Sequence, residues 1–148
     1  MSVEAGAGPT DQPGQVIEAF EFRLQAEVNA IAATTDGISD KLRQLHVPQE
    51  KQMDILLAVQ EALANAVVHG CNNDPAKAVL CRLELYANGS ILIVVSDPGP
   101  GYSRQPVADP KLGNRLFRDH GRGMYLIHQL MDNVSFARNG SEIRMWKY

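Results

Sequence analysis

The pattern of hydrophobic and polar positions predicts five β-strands. Residues 19–24 and 79–86 alternate between apolar and polar side chains, as half-buried strands do. Residues 90–96 are almost continuously apolar, which is typical of a central strand that is covered on both faces or packed deeply. Between these last two strands, Asn88-Gly89 predicts a two-residue hairpin turn, because both central positions of that turn need positive φ. A closing hairpin is predicted from residues 134–137, the turn Asn139-Gly140 and residues 143–147.

Apolar residues at helical spacing predict helices between these strands. Residues 28–45 fit one bent helix or two short ones, with an interruption near residues 34–37. Pro48 then opens a second helix over residues 49–69, where its missing N–H costs nothing. The face of this helix that should pack on the sheet carries Leu56, Val59, Leu63, Ala66 and Gly70. Residues 124–131 predict a short amphipathic helix.

Length and composition exclude several classes of protein. A chain of 148 residues can bury roughly 70% of its unfolded surface, so it needs no disulfide or metal to fold. A net charge of −3 argues against direct nucleic-acid binding, and no apolar run reaches the length of a membrane span. The first basic residue is Arg23, so a secretory signal is not expected. Cys71 and Cys81 have no ligand-like spacing, which favours two reduced thiols in a cytoplasmic protein.

Glycine and proline divide the chain into a tail and one domain. Residues 1–14 are poor in bulky apolar groups and carry three glycines and two prolines, which predicts a flexible N-terminal tail. Residues 15–148 show neither an internal repeat nor a second domain. We therefore expect a single domain over residues 15–148.

Glu61 and Asn65 form the first candidate for chemistry. They lie one turn apart on the second helix, on roughly the opposite face from its apolar stripe, together with His69. An asparagine oxygen suits Mg²⁺, and a glutamate one turn earlier can act as a general base on a hydroxyl or water beside that metal. The alternative is an ordinary solvated helix face.

Asp97 forms the second candidate, because it directly follows the apolar strand in the segment Asp97-Pro98-Gly99-Pro100-Gly101. A carboxylate only accepts hydrogen bonds, so it matches the exocyclic amine of adenine and repels the keto oxygen of guanine. Gly99 and Gly101 would let the backbone approach a flat base closely. The alternative is a strand-ending turn that begins with aspartate.

A glycine-rich segment and a late serine complete the candidates. Gly121-Arg122-Gly123-Met124 opens a helix, where exposed N–H groups form an anion site. The preceding residues, 102–120, carry a local charge of +2, which favours a triphosphate. The alternative for this segment is that its glycines simply end a loop. Ser141 follows the last predicted turn, and it is either an ordinary strand serine or a hydroxyl that helps a water bridge to a base.

Taken in order, these motifs resemble the N, G1 and G2 boxes of the GHKL ATPase superfamily, which includes gyrase and the histidine kinases. The three boxes lie at residues 61–70, 97–101 and 121–124. The short length, the strand before the first helix and the ending at residues 139–143 are similar to the bacterial anti-sigma-factor serine kinases. The resemblance covers residues 16–148. It implies the Bergerat ATP-binding fold, an α+β two-layer sandwich whose mixed, mostly antiparallel sheet is covered on one face by about three helices.

The resemblance also implies a role for each candidate residue. Asn65 would ligate Mg²⁺, and Glu61 would be the catalytic base. Asp97 would bind the adenine amine of ATP or ADP with help from Ser141, where the family more often has threonine. The remaining nucleotide contacts would come from Gly99, Gly101, Gly121, Arg122, Gly123 and Met124, with Arg118 or Arg122 stabilising transferred charge. His69 and His120 are expected to be structural or exposed to solvent.

The function implied is that of an ATP-dependent serine protein kinase that is also an anti-sigma factor. Such a kinase phosphorylates an anti-anti-sigma protein of the STAS fold and sequesters a sigma factor, in the cytoplasm and in some cases as a homodimer. The alternatives are a nucleotide-gated binding module without kinase activity, the catalytic part of a histidine kinase, and an unrelated α/β domain.

Overall fold

The computed structural model describes residues 13–100 and 122–148. Most of the predicted tail therefore lies outside the described residues, and so does the whole segment 101–121. That segment includes the candidate residues Gly101, Arg118, His120 and Gly121.

Five strands form one sheet in which every pairing between the described strands is antiparallel. The strands are β1 (Val16–Gln25), β2 (Ala78–Tyr86), β3 (Ile91–Ser96), β4 (Asn133–Ala137) and β5 (Glu142–Lys147). Their order across the sheet is β1-β2-β3-β5-β4, so β3 is central. As its apolar sequence predicts, the first five residues of β3 are buried. The predicted α+β two-layer sandwich is confirmed.

Within the described residues, three α-helices cover one face of this sheet: α1 (Asn29–Gln44), α2 (Gln49–Asn65) and α3 (Arg122–Leu130). One apolar core joins them to the facing side chains of the strands, with Ile38 from α1, Leu63 from α2 and Ile127 from α3 among its members. At the sheet margin, Lys147 Nζ forms an ion pair with Asp54 Oδ2 at 2.9 Å. No helix in the described part of the chain is long and apolar enough to span a bilayer.

Helix α1 is continuous through the interruption that the sequence shows near residues 34–37. The Thr34 and Thr35 hydroxyls donate hydrogen bonds to carbonyls four residues earlier, at 3.0 and 2.8 Å, so neither threonine ends the helix. Gly37 lies against the ring of Phe22, where an added Cβ would come within 3.1 Å of Cε2. The glycine therefore gives β1 room to pack against the middle of the helix.

The second predicted helix changes its geometry after Asn65. Residues Ala66–Gly70 form a π turn in place of the α-helix expected up to residue 69. Within it, the Cys71 N–H donates to the Ala66 carbonyl oxygen at 2.9 Å, five residues back. Wide turns of this kind are rare and frequently occur at functional sites.

The turn between β2 and β3 differs from the predicted two-residue hairpin. Only Gly89 has positive φ, at 90°, whereas Asn88 does not. Gly89 N–H donates to the Tyr86 carbonyl and Tyr86 N–H to the Ser90 carbonyl, each at 2.9 Å, which leaves a loop of three residues. This is the pattern of a type I turn followed by a glycine bulge. The prediction was wrong because Asn88 uses its side chain instead, accepting the Ser90 N–H at 2.9 Å.

Candidate functional site

Asp97 lies at the end of the central strand and is held in one orientation. Its side chain is buried, and its Oδ1 accepts the Gly99 N–H at 2.8 Å. Its own N–H donates to the Ser141 carbonyl at 2.9 Å, which ties the end of β3 to the turn before β5. The predicted strand-ending turn therefore exists, and the same contacts fix a buried carboxylate beside the first glycine of the segment.

Ser141 lies beside Asp97, as the resemblance requires, but its hydroxyl has a partner within the protein. Ser141 is buried and its Oγ donates to the Arg138 carbonyl at 2.8 Å. The turn that presents it has positive φ at Arg138, Asn139 and Gly140, so the predicted turn at Asn139-Gly140 is confirmed. The Ser141 oxygen keeps its acceptor capacity towards a water.

Glu61 lies on α2 beside Gly123 in the first turn of α3. An added Cβ at Gly123 would be 2.5 Å from Glu61 Oε1, far inside ordinary contact distance. Helix α3 covers Arg122–Leu130, where the sequence predicts a helix over residues 124–131, and Met124 is buried in the core below it. The fold thus brings the first and third motifs together through a glycine and a carboxylate.

Asn65 lies between these two carboxylates in the sequence and is buried, with 7% of its surface exposed. The interpretation of its helix face as solvated is therefore wrong at this position. Its amide Nδ2 is buried without a hydrogen-bond partner in the structure. Burying an unpartnered amide costs free energy, so a group of this kind in a native protein calls for an explanation.

The side chains around Asn65 fit a magnesium ion only if phosphates and waters supply most of its ligands. Among residues 13–100 and 122–148, no three histidine, cysteine, aspartate or glutamate side chains cluster as they would around a fully protein-held metal. Mg²⁺ is typically held by one or two protein oxygens together with phosphates and waters. An asparagine would hold such an ion through its Oδ1, whereas the unpartnered Nδ2 donates hydrogen bonds and suits an acceptor such as a phosphate oxygen or a water.

Cys71 adds a neutral thiol beside the Asp97 carboxylate. Burial raises the pKa of the Cys71 thiol, and the negative charge of Asp97 raises it further. Both cysteines are free and buried, as the spacing predicts. The proximity of Cys71 to Asp97 has no signal in the sequence, since it depends on the π turn.

Comparison with known proteins shows the family to which the chain belongs. The histidine kinase-like ATPase domain family matches residues 24–147, and the chain belongs to that family. Its relatives include proteins named serine-protein kinase RsbW and anti-sigma F factor. The RsbW of Bacillus velezensis is 26% identical over 142 residues, covering 89% of this chain and 86% of the relative. The anti-sigma F factor of a Geobacillus species, strain WCH70, is 30% identical over 137 residues, covering 87% and 90%.

A solved structure shares the fold. The RsbU and RsbW domains of a Mycobacterium tuberculosis protein superpose with a TM-score of 0.58 at 15% identity. The match covers 88% of this chain and 31% of that longer one. At this identity the likeness concerns the fold alone.

Gly70 is a further residue of the site whose contact the sequence does not reveal. It was expected to pack on the sheet, yet its nearest neighbour is the Asp97 carboxylate. The only signal is a glycine at the end of a helix, which ordinarily marks a C-terminal cap.

Proposed function

We propose that the protein is an ATP-dependent serine protein kinase and anti-sigma factor, with residues 15–148 acting as its kinase domain. Its substrate would be an anti-anti-sigma protein of the STAS fold, and it would also sequester a sigma factor in the cytoplasm. One observation carries the proposal: the turn that follows Glu61 and Asn65 places Gly70 against the buried Asp97 carboxylate, which the Gly99 N–H holds at the end of β3. The names of the relatives support both the kinase and the anti-sigma role.

Four of the described candidate residues would bind the nucleotide. Asp97 accepts a hydrogen bond from the adenine amine, and Gly99 gives the base close access to the backbone. The Oδ1 of Asn65 would hold Mg²⁺ together with the phosphates, and the ion would supply neutralisation of their charge. The N-terminal turn of α3, at Gly123, offers backbone N–H groups to the phosphates.

Glu61 removes the proton from the serine hydroxyl of the partner protein. The serine oxygen forms a bond to the γ-phosphorus, while the bond from that phosphorus to the β–γ bridging oxygen breaks. The bonding electron pair leaves on ADP, and the proton stays on the Glu61 carboxyl group until water accepts it. Catalysis of this kind depends mainly on positioning and on neutralising charge.

Labelled ATP separates this proposal from a nucleotide-gated binding module. The protein is incubated with γ-labelled ATP, Mg²⁺ and each STAS-domain protein of the same genome. We expect label on a serine of one of these proteins and release of an equal amount of ADP. Nucleotide-dependent binding of a STAS protein or a sigma factor without transfer of label would support the binding module and contradict the kinase.

A further inference from the structure

Gly70 lies against the Asp97 carboxylate with no space for a side chain. A Cβ built at Gly70 would be 2.3 Å from Asp97 Cγ, 2.3 Å from Oδ2 and 2.7 Å from Oδ1. The φ of Gly70 is outside the positive region that favours glycine, unlike that of Gly89 or Gly140. Glycine is therefore required here for space and not for backbone conformation.

The π turn delivers Gly70 to this position. An α-helix turns about 100° per residue, so the additional residue of the π turn rotates everything after it by about that angle. The turn is closed by the bond from Cys71 N–H to the Ala66 carbonyl and followed by one from Asn73 N–H to the Val67 carbonyl, both 2.9 Å. The backbone that presents Asn65 is thus the backbone that also supports Asp97.

Gly99 lies against both Gly70 and the Asp97 carboxylate. A Cβ at Gly99 would be 2.5 Å from the Gly70 carbonyl oxygen and 2.9 Å from Asp97 Oδ1. The carboxylate therefore fills a space bounded by two glycines, and the Gly99 N–H fixes one of its oxygens. Any side chain at residue 70 must displace the carboxylate, which is the more movable partner.

We propose that Gly70 is a positioning residue that sets the base specificity of the nucleotide site through Asp97. The inference depends on the proposed function only in that Asp97 binds the amino group of adenine. A methyl group at residue 70 turns the carboxylate away from the base, so the site loses its preference for that amino group while its phosphate contacts remain.

The first experiment measures base selectivity by calorimetry with two nucleotides. One is ATP, and the other is the triphosphate of purine riboside, which has hydrogen in place of the 6-amino group. We expect wild type to favour ATP about tenfold or more, since a hydrogen bond to a charged acceptor is lost with the analogue. Gly70→Ala and Asp97→Ala should both bring the ratio close to one, and the double variant should lower it no further.

Gly37→Ala is the matched control, because it adds the same methyl group to a glycine that contacts Phe22 instead of Asp97. It should keep the wild-type ratio. If Gly70→Ala retains the preference for ATP while Asp97→Ala loses it, the positioning role of Gly70 is overturned but the role of Asp97 is not. If the wild-type protein binds the two nucleotides equally well, Asp97 does not recognise the amino group of adenine, and this inference fails with it.

The second experiment tests the contact without any nucleotide. Asp97→Ala removes all three carboxylate atoms that a methyl group at residue 70 would meet. Gly70→Ala should lower the melting temperature of the wild-type protein but have little effect in the Asp97→Ala background. If the single variant Gly70→Ala is too unstable to purify, the double variant should still fold, with a melting temperature close to that of Asp97→Ala. An equal loss of stability in both backgrounds, or a double variant that also fails to fold, would show that the methyl group meets something other than the carboxylate.

Discussion

Adding one methyl group at Gly123 tests whether the contact between α3 and Glu61 places the proposed catalytic base. The added Cβ would be 2.5 Å from Glu61 Oε1, whereas ordinary contacts begin at 3.4 Å. The carboxylate must therefore retreat by about 0.9 Å, and a misplacement of about 1 Å can cost roughly 100-fold in rate. That factor corresponds to about 2.7 kcal/mol of barrier, which lies within the range of about 10²–10⁴-fold that a general base supplies.

The assay is single-turnover transfer of γ-labelled phosphate to a purified STAS-domain partner, with Mg-ATP affinity measured separately. We expect Gly123→Ala to transfer phosphate about 100-fold more slowly with nearly unchanged affinity. The variant should be no less stable than wild type, because alanine favours a helix over glycine by up to about 1 kcal/mol. Gln129→Ala, at an exposed position of the same helix, is the control and should behave as wild type.

Two outcomes would refute this reasoning. Unchanged transfer by Gly123→Ala, in a protein where Glu61→Ala is inactive, would show that the contact does not set the position of the base. A parallel loss of affinity and rate would show that Gly123 supports the nucleotide instead. In the double variant, Gly123→Ala should add nothing to the loss caused by Glu61→Ala.

Three further predictions concern the remaining buried groups. Asp97→Asn should weaken ATP binding about five- to tenfold in calorimetry, because a neutral amide replaces a charged acceptor. Ser135→Ala is the control and should bind ATP as wild type does, and an equally unchanged affinity in Asp97→Asn would contradict the adenine contact. Asn65→Ala should lower Mg-dependent ATP affinity. It should leave the free energy of unfolding within about 1 kcal/mol of wild type, because the amide Nδ2 has no partner to lose. A large loss of stability in a denaturant titration would show a structural role instead. Burial raises the pKa of Cys81 from 9.0 to about 12, so above pH 9 the unfolded state releases a proton that the native state keeps, and stability falls until about pH 12. By pH 10.5 this group should cost about 2 kcal/mol, and Cys81→Ala should remove that part of the alkaline loss; identical slopes for the two proteins would contradict it.

The elements of the fold follow from the sequence because burial and periodicity coincide over most of the chain. The continuous apolar run at β3 is buried almost throughout, and the helical spacing of α2 places Val59 and Leu63 in the core. These are patterns of many residues, in which one irregular position changes little.

The features that the sequence did not predict depend on single backbone choices. In the β2–β3 hairpin, Asn88 accepts a hydrogen bond with its side chain and leaves positive φ to Gly89 alone. The π turn after Asn65 differs from an α-helix by one residue, and no periodic signal of five residues can distinguish the two. Both are settled by local hydrogen bonds and tertiary contacts.

The candidate site also has features that the sequence predicts and features that it does not. The types and order of Glu61, Asn65 and Asp97 are visible in the sequence, because chemistry restricts which side chains can serve. Their mutual support is not, since the contact of Gly70 with Asp97 and that of Gly123 with Glu61 join residues far apart in the chain. Close approaches to glycine leave no trace in composition or spacing.

The most direct test of the central claim compares wild type with Glu61→Ala in two measurements on the same preparation, Mg-ATP affinity and transfer of labelled phosphate to the proposed STAS-domain partner. If Glu61 is the base of a protein kinase, the variant binds Mg-ATP nearly as well as wild type and transfers about 10²–10⁴-fold less phosphate. Transfer at the wild-type rate, or equal losses of binding and transfer, would contradict that role.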